Sequence, residues 1–382
     1  MTPVVSRRIA QELRDKIVSG QWAVGTRLPS IRDLASTYGV SVNTIQNAFR
    51  ELEGSNLVER HPRRGGFVKS RGTDDVKPSQ AVSMAVIGGF ETSFAFNTED
   101  HWIAGIVRGF NQELAEAGYH LSMLSYGSDK DAMLEPVLAH VGNLGSQLAG
   151  AMCFLRSGCQ PLLDELDRRD IPWITINRAS EHALHNFVAH EIFAGARLMG
   201  GCFARMNIKR VVVLSDPLET GRSAGDKLFG CIRGYVESGG SVGNVEFVST
   251  KSHTDQAGYE AMAEYLDKGN APPQAVLCAG DLLAFGGIRA CRERGLSMPG
   301  DVGFIGTTGL HAAEYCTPTL TVLEAPMQRM GQEVARMLLE MAREGVRRMA
   351  GRFVPGKLVM RESFQIPEPI LAEVQEMMGR TP

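Results

Sequence analysis

From residue 82 onward the chain alternates short apolar runs with longer amphipathic segments, and this alternation restricts its fold more than any other feature. Nine apolar runs are predicted as strands: SMAVIGG, LSMLSY, GAMCFL, WITIN, RVVVLS, EFVST, AVLCAG, VGFIG and TVLEA. The segments between them carry apolar residues at helical spacing, such as Ile103, Val107, Phe110 and Leu114. Strands that alternate with helices form parallel sheets covered by helices on both faces.

The number of these units favours more than one sheet. Nine strands are too many for one small sheet, and 382 residues exceed the usual size of one domain. We therefore expect a two-lobed α/β domain with parallel sheets and a cleft between the lobes. Ligands of open α/β sheets bind beyond the carboxyl ends of the strands, so the cleft is the expected ligand site.

The charge of the chain is unevenly divided. Residues 1–72 carry 12 Lys and Arg against 6 Asp and Glu, a net charge of +6 in a chain whose total is −3. The remaining residues therefore carry a net charge of −9. A basic head on an acidic body indicates a polyanionic partner for the head alone.

The basic head shows the signals of three helices. An apolar residue recurs every four positions in the first helix, at Val5, Ile9, Leu13 and Ile17. Ser30 and Asp33 form a capping-box pattern at the start of the second helix. Gly39 is predicted to end that helix in a left-handed turn, and Ser41 to cap the third helix.

The third helix has a polar outer face and is followed by a basic hairpin. Its outward positions are Asn43, Gln46 or Asn47, and Arg50. Two β-prone runs, LVER and GFVK, flank the turn HPRRGG. This order predicts an N-terminal winged helix-turn-helix, an α+β fold. Asn and Gln bond adenine in the major groove, each pair contributing about 1–3 kcal/mol of discrimination, and wing arginines reach phosphates or the minor groove. Taken singly, each residue also fits an ordinary solvated helix face or turn.

The stretch GTRLPSIRDLASTYGVSVNTIQNAFRELEGSNLVERHPRRGGFV resembles the GntR-type winged helix-turn-helix of transcription regulators. The resemblance implies contact with double-stranded operator DNA by the arginine after LPS, by the start of the third helix and by the wing turn. Many members carry arginine at the positions of Val42 and Gln46, so base reading here is expected through Asn43, Gln46 and a thymine methyl on Val42. Together with the polar row, the expected DNA contacts are Arg32, Ser41, Val42, Asn43, Thr44, Gln46, Arg50, His61, Arg63, Arg64 and Gly65.

The body resembles another family. IVRGFNQELAEAGYHLSML, AVLCAGDLLAFGGIRACRERGLSMPGDVGFIG and TPTLTVLEAPMQRMGQEVARMLL are similar to the effector domain of LacI-type repressors and type I periplasmic sugar-binding proteins. The resemblance covers roughly residues 82–365 and implies two lobes joined by crossover strands, a small ligand and a homodimer. A GntR-type head on this body is the layout of arabinose-responsive repressors.

The resemblance also implies a set of ligand contacts. Trp102 falls where the family stacks an aromatic on the sugar, and Arg178 matches a ligand-facing arginine. Asp281 matches an acidic residue that bonds sugar hydroxyls, although it could instead cap the helix that follows it. The full set is Glu91, Trp102, Arg178, His190, Lys227, Asp281 and Thr308.

The predicted organisation is a DNA-binding domain at residues 1–70, a linker at 71–81, an effector and dimerisation domain at 82–365 and a tail at 366–382. The tail either packs on a partner or docks on its own body. The seven cysteines form no CxxC pair, and the sequence shows no metal motif, Walker A motif or GxSxG motif. We expect no cofactor, no metal, no membrane segment and a cytoplasmic location.

These observations predict a DNA-binding transcription regulator, a repressor, whose operator affinity is controlled by a sugar or sugar derivative. Two other classes remain as alternatives. An enzyme on sugars or nucleotides would need an acid and a base facing each other across the cleft, and Asp281 is the strongest carboxylate candidate. A solute-binding protein of a transport system would fit the body, but the basic head and the absence of a signal-peptide pattern at the N-terminus argue against it.

Overall fold

The structure is a computed structural model that describes residues 2–18, 21–23, 25–54, 57–61, 65–69, 83–88, 102–125, 130–144, 147–154, 160–177, 185–218 and 222–379. The predicted linker lies outside these residues. The chain divides into two compact units, one of Met1–Ala81 with Arg343–Gly345 and one of the remaining residues. We call the first unit the head and the second the body, and describe each separately.

The head is a three-helix unit with a β-hairpin. Its elements are α1 (Thr2–Val18), α2 (Ile31–Tyr38), α3 (Val42–Gly54), β1 (Val58–His61) and β2 (Gly65–Val68), with β1 and β2 antiparallel. The predicted local signals are confirmed: the Ser30 side chain and the Asp33 side chain form the capping box of α2, and Gly39 ends α2 with φ of 63°. The apolar stripes of α1 and α3 meet in one core that includes Leu13, Ile45 and Phe49.

The first lobe of the body is a six-stranded parallel sheet. Its strands are β3 (Ser83–Gly88), β4 (His120–Ser125), β5 (Leu148–Phe154), β6 (Trp173–Ile176), β7 (Phe187–His190) and β13 (Arg352–Val354), in the order β13-β7-β6-β5-β3-β4. Its helices are α4 (Trp102–Glu116), α5 (Lys130–Leu144), α6 (Gln160–Arg168) and α11 (Met327–Glu344). Apolar residues of α4 and α11 cover one face of this sheet, which explains their helical stripes.

The second lobe is a six-stranded sheet in the order β14-β12-β11-β10-β8-β9. Its strands are β8 (Val211–Ser215), β9 (Val245–Ser249), β10 (Ala275–Cys278), β11 (Gly303–Gly306), β12 (Thr321–Glu324) and β14 (Lys357–Val359). Its helices are α7 (Ile192–Arg205), α8 (Arg222–Glu237), α9 (Asp255–Asp267), α10 (Asp281–Glu293) and α12 (Glu368–Gly379). The strands are parallel except β14, which runs antiparallel to β12. The predicted α/β class with parallel sheets is confirmed.

The chain crosses between the two lobes at three places. It passes from β7 to α7 through Glu191, from β12 to α11 through residues 325–326, and from β13 to β14 through residues 355–356. These segments converge, because a Cβ built at Gly356 would lie 2.4 Å from the carbonyl oxygen of Glu324 and 2.5 Å from Nε2 of His190. We call this convergence the hinge.

The structure adds three strands that the sequence did not predict and decides between the two alternatives for the tail. Strands β7, β13 and β14 were not predicted, because each has only three or four residues and pairs with a strand that is distant in sequence. The tail forms α12, whose Val374 is fully buried against the second lobe, and Glu373 bonds Arg205. The tail therefore docks on its own body. No helix in the described ranges is long and apolar enough to cross a membrane.

Candidate DNA-binding face and effector cleft

The first turns of α3 present a polar surface in the head. Asn43 and Arg50 are exposed, Val42 is 42% exposed, and Gln46 and Asn47 are half-buried. The opposite face of α3 is buried, because Ile45, Ala48, Phe49 and Leu52 all face the head core. A recognition helix needs this division, with one face anchored and the other free to approach base edges.

Thr44, one of the expected DNA contacts, lies on the buried side of α3, and its contact with DNA stays a prediction. Thr44 is only 5% exposed, and its hydroxyl lies 2.8 Å from the hydroxyl of Ser41. The backbone N–H of Thr44 donates to the Ser41 hydroxyl at 3.2 Å, which satisfies an amide at the start of α3. Thr44 is buried on the core side of α3, whereas Ser41 is exposed. Together the two residues cap the N-terminus of α3.

The wing and the start of α2 supply further polar groups. Arg32 is exposed at the second position of α2. His61 is exposed at the end of β1, lies 2.9 Å from Glu59 and packs edge-on against Phe67. Gly65 opens β2 with φ of 95°, a conformation that favours glycine. Arg63 and Arg64 lie outside the described residues.

The body holds a polar cluster at the carboxyl ends of its second sheet. Asp216 follows β8 directly, and its carboxylate lies 3.2 and 3.3 Å from Nδ1 of His253, which comes after β9. Thr250 donates to the same carboxylate at 3.5 Å. Burial raises the pKa of Asp216, but the His253 imidazole and the Lys227 ammonium outweigh it, so the net pKa is lowered. Asp216 is therefore a carboxylate at neutral pH.

Lys227, on α8, is buried beside this cluster with 7% of its surface exposed. Its ammonium donates to the hydroxyl of Ser223 at 2.6 Å and to the Ser223 carbonyl at 3.3 Å. Burial lowers the pKa of Lys227 to about 8, against the opposite influence of Asp216 and Asp226. Lys227 is thus a buried cation at neutral pH.

His190 ends β7 in the first lobe and reaches the hinge. Burial, with a contribution from the Lys227 ammonium, lowers the pKa of His190 to about 3. The imidazole is therefore neutral at physiological pH and can accept a hydrogen bond. The ammonium of Lys227, a residue of the second lobe, thus acts electrostatically on His190, a residue of the first lobe.

Asp281, an expected ligand contact, is engaged by the protein backbone, and its contact with a ligand stays a prediction. Asp281 is fully buried, and its carboxylate accepts backbone N–H groups from Thr308 at 3.0 Å, Gly309 at 2.8 Å and Leu310 at 2.7 Å. Burial raises its pKa, and these three bonds oppose that effect. The carboxylate holds the loop after β11 through three of its roughly four acceptor sites. This role differs from capping its own helix, the alternative that the sequence left open.

Thr308 and Trp102 keep places near the strand ends. Thr308 is half-buried, and its carbonyl accepts the N–H of Ala325 at 3.0 Å, which links the Asp281 loop to the hinge. Trp102 begins α4 and packs edge-on against Phe154, the last residue of β5, with ring centroids 5.6 Å apart. Trp102 is half-buried against the core of the first lobe. Glu91 and Arg178 lie outside the described residues.

Sequence reasoning missed Asp216, His253 and, in the head, the exposed Arg27. Arg27 lies beside the wing, because a Cβ built at Gly65 would lie 3.5 Å from its Nε. The sequence offered a signal for Asp216, because this polar residue directly follows the apolar run of β8, which is wholly buried. His253 had a weaker signal, because it follows β9 at a distance of four residues.

These groups suit the binding of a small polar molecule. The strand ends offer a carboxylate, an ammonium and two imidazoles, which together bond hydroxyl and charged groups. Within the described part of the chain, no group of three or more His, Cys, Asp or Glu side chains could hold a metal ion.

Comparison with known proteins gives separate matches for the two units. Residues 5–68 match the family "Bacterial regulatory proteins, gntR family", and residues 202–364 match "Periplasmic binding protein-like domain". The HTH-type transcriptional repressor PurR of Salmonella paratyphi B is 25% identical over 321 residues, which cover 82% of this chain and 90% of that repressor.

Two solved structures share the fold at lower identity. A complex of the transcriptional regulator CelR with cellobiose superposes with a TM-score of 0.65 at 20% identity, covering 88% of this chain and 100% of that one. A lac repressor dimer bound to operator and the anti-inducer ONPF superposes with a TM-score of 0.64 at 17% identity, covering 80% of this chain and 99% of that one.

Proposed function

The chain carries a GntR-type winged helix-turn-helix in front of a two-lobed periplasmic-binding-protein-like domain, and on this premise we propose that it is a ligand-controlled transcription regulator. The head binds operator DNA in a sequence-specific manner. The body binds a small polar effector at the strand ends, and its occupancy changes operator affinity. The site of action is the cytoplasm, where the operator lies.

The observation that carries this proposal is the two-sided character of α3. Its inner residues anchor it in the head core, whereas Val42, Asn43 and Arg50 are exposed on its other side. The net charge of +6 over residues 1–72 supports binding to a polyanion. An enzyme or a solute-binding protein has no use for a basic head with this face.

The body supplies the control element of this proposal. An effector shifts an equilibrium only if it binds one conformation better than another. The hinge joins two lobes, and groups of both lobes come together near it, so a ligand there gains contacts when the lobes close. We further propose a homodimer that presents two heads to half-sites about 34 Å apart, one helical turn of DNA. The similar protein PurR is a transcriptional repressor, and the lac repressor structure is a dimer bound to operator, which supports this assembly.

We propose that the regulator is a repressor released by a sugar-like effector. The CelR structure contains cellobiose, which makes a sugar a reasonable class of effector. The proposal includes no catalysis, and it is supported by the three backbone N–H groups that engage Asp281, the strongest carboxylate candidate. Turnover of any bound effector by the purified protein would contradict this part.

The decisive experiment is a gel-shift titration of the full-length protein on DNA from upstream of its own gene. We expect a sequence-specific shift that a metabolite extract weakens. The matched control is Asn43→Ala, which leaves the α3 core intact and removes one exposed base-reading amide. If neither protein discriminates this DNA from random sequence, the proposed function is wrong.

A further inference from the structure

Among the residues that the structure describes, the buried cation Lys227 has no carboxylate within ion-pair distance. The Lys227 side chain is more than nine-tenths buried, and its ammonium bonds two atoms of one residue, the hydroxyl and the carbonyl of Ser223. An ammonium has three N–H donors, and the described residues supply acceptors for two of them. Neither Ser223 atom carries a formal charge.

The nearby carboxylates act on this ammonium only from a distance. In the described part of the chain, no carboxylate oxygen lies within 4.0 Å of Nζ of Lys227, although Asp216 and Asp226 both influence it electrostatically. Asp216 is already engaged by His253 and Thr250. Buried charges in proteins are normally paired, because removing an ion from water costs several kcal/mol without a partner.

Lys227 interacts electrostatically with groups of both lobes. His190, which it influences, ends a strand of the first lobe and touches the hinge at Gly356. Asp216 and His253 lie at strand ends of the second lobe. A cation between groups of both lobes is positioned for a ligand that the lobes enclose.

We propose that the effector carries an anionic group, a carboxylate or a phosphate monoester, which binds the Lys227 ammonium. This inference rests on the proposed function, since it assumes that the strand ends hold the effector. The anion supplies a counter-ion and accepts an N–H of the ammonium. The Asp216–His253 pair then bonds hydroxyl groups on the rest of the molecule, and the neutral His190 donates or accepts one further hydrogen bond.

This chemistry also separates effectors by charge. A neutral sugar leaves the ammonium buried without a partner when the lobes close, so the closed state gains little. An anionic sugar derivative gains a charge-assisted hydrogen bond in the closed state. Charge thus becomes the feature that selects the effector.

The test uses inorganic phosphate and acetate as probes for the two anion types, with thermal unfolding of the full-length protein as the readout. Chloride at equal ionic strength is the reference. Four proteins are compared: the native chain, Lys227→Met, Lys227→Arg and the control Lys209→Met, whose lysine is exposed on the same lobe. We expect a saturable stabilisation of the native chain and of the control by at least one anion.

The expected loss in Lys227→Met is about tenfold in anion affinity, whereas Lys227→Arg retains most of it because the charge remains. Equal responses of the native chain and Lys227→Met to both anions, or no response of the native chain, overturn the proposal. The two failures are distinguishable: if specific DNA binding is present but the anion response is not altered by Lys227→Met, only the anionic effector is wrong. Absence of specific DNA binding instead removes the proposed function.

Discussion

Replacing Lys227 by methionine should make the unliganded protein more stable. Methionine keeps the length of the side chain and removes the buried charge. The pKa of Lys227 is lowered from 10.5 to about 8, which corresponds to about 3 kcal/mol of unfavourable burial of the charged form. Loss of the bonds to Ser223 offsets about 1 kcal/mol of this gain. We therefore expect Lys227→Met to raise the free energy of unfolding by about 2 kcal/mol at pH 7.

The sign of the pH dependence follows from the direction of the shift. Below pH 8 the native and unfolded states both carry the proton, so the full cost is present. Between pH 8 and 10.5 the unfolded state binds the proton and the native state does not, so the stability of the native chain rises with pH. The advantage of Lys227→Met should therefore shrink across this interval. The neighbours His190 and Asp216 keep their protonation states there, since the pKa values of both are lowered.

The assay is urea unfolding followed by circular dichroism at pH 7 and at pH 10, with the same buffer ions for each protein. Lys209→Met is the control, because this exposed lysine should change stability by less than about 0.5 kcal/mol at either pH. A Lys227→Met protein that is no more stable than the native chain at pH 7 would refute the reasoning. An advantage of unchanged size at pH 10 would refute it equally.

Three further predictions concern the head, the Asp281 loop and the hinge. Arg32→Ala should weaken binding to all DNA and reduce the slope of log affinity against log salt concentration by about 1. Asn43→Ala should relax base preference at a cost of about 1–3 kcal/mol in binding free energy. Fluorescence anisotropy at several salt concentrations distinguishes the two effects. Asp281→Ala should lower the free energy of unfolding by about 3–5 kcal/mol in urea, because three buried N–H groups lose their acceptor. Gly356→Ala should lower it by about 1–3 kcal/mol and alter the effector response of a gel shift, because its Cβ would meet the Glu324 carbonyl at 2.4 Å.

Each of these predictions has its own contrary result. Equal losses by the two head variants on every DNA sequence would show that backbone and base contacts are not divided as proposed. Native stability of Asp281→Ala would show that the loop does not depend on this carboxylate. An unchanged effector response in Gly356→Ala would show that the hinge does not transmit occupancy.

The candidate site was only partly predictable. Lys227 and His190 were expected at the ligand site from the resemblance of the body, and in the structure the Lys227 ammonium acts electrostatically on His190. Asp281 was expected there as well, but whether a carboxylate after a strand faces a ligand or the neighbouring loop depends on the path of that loop. The loop after β11 directs its N–H groups toward Asp281. The local sequence does not predict this loop conformation.

The local features of the chain were determined by the sequence alone. These features are the capping box at Ser30, the left-handed turn at Gly39 and nine strands of the body. Each depends on residues that are close in sequence, so residue spacing and backbone preference predict it. Only the tertiary structure decided the rest: strands β7, β13 and β14, the hinge at Gly356, and the pairing of Asp216 with His253. These arise from contacts between segments far apart in sequence, and such contacts exist only once the two sheets have formed and packed.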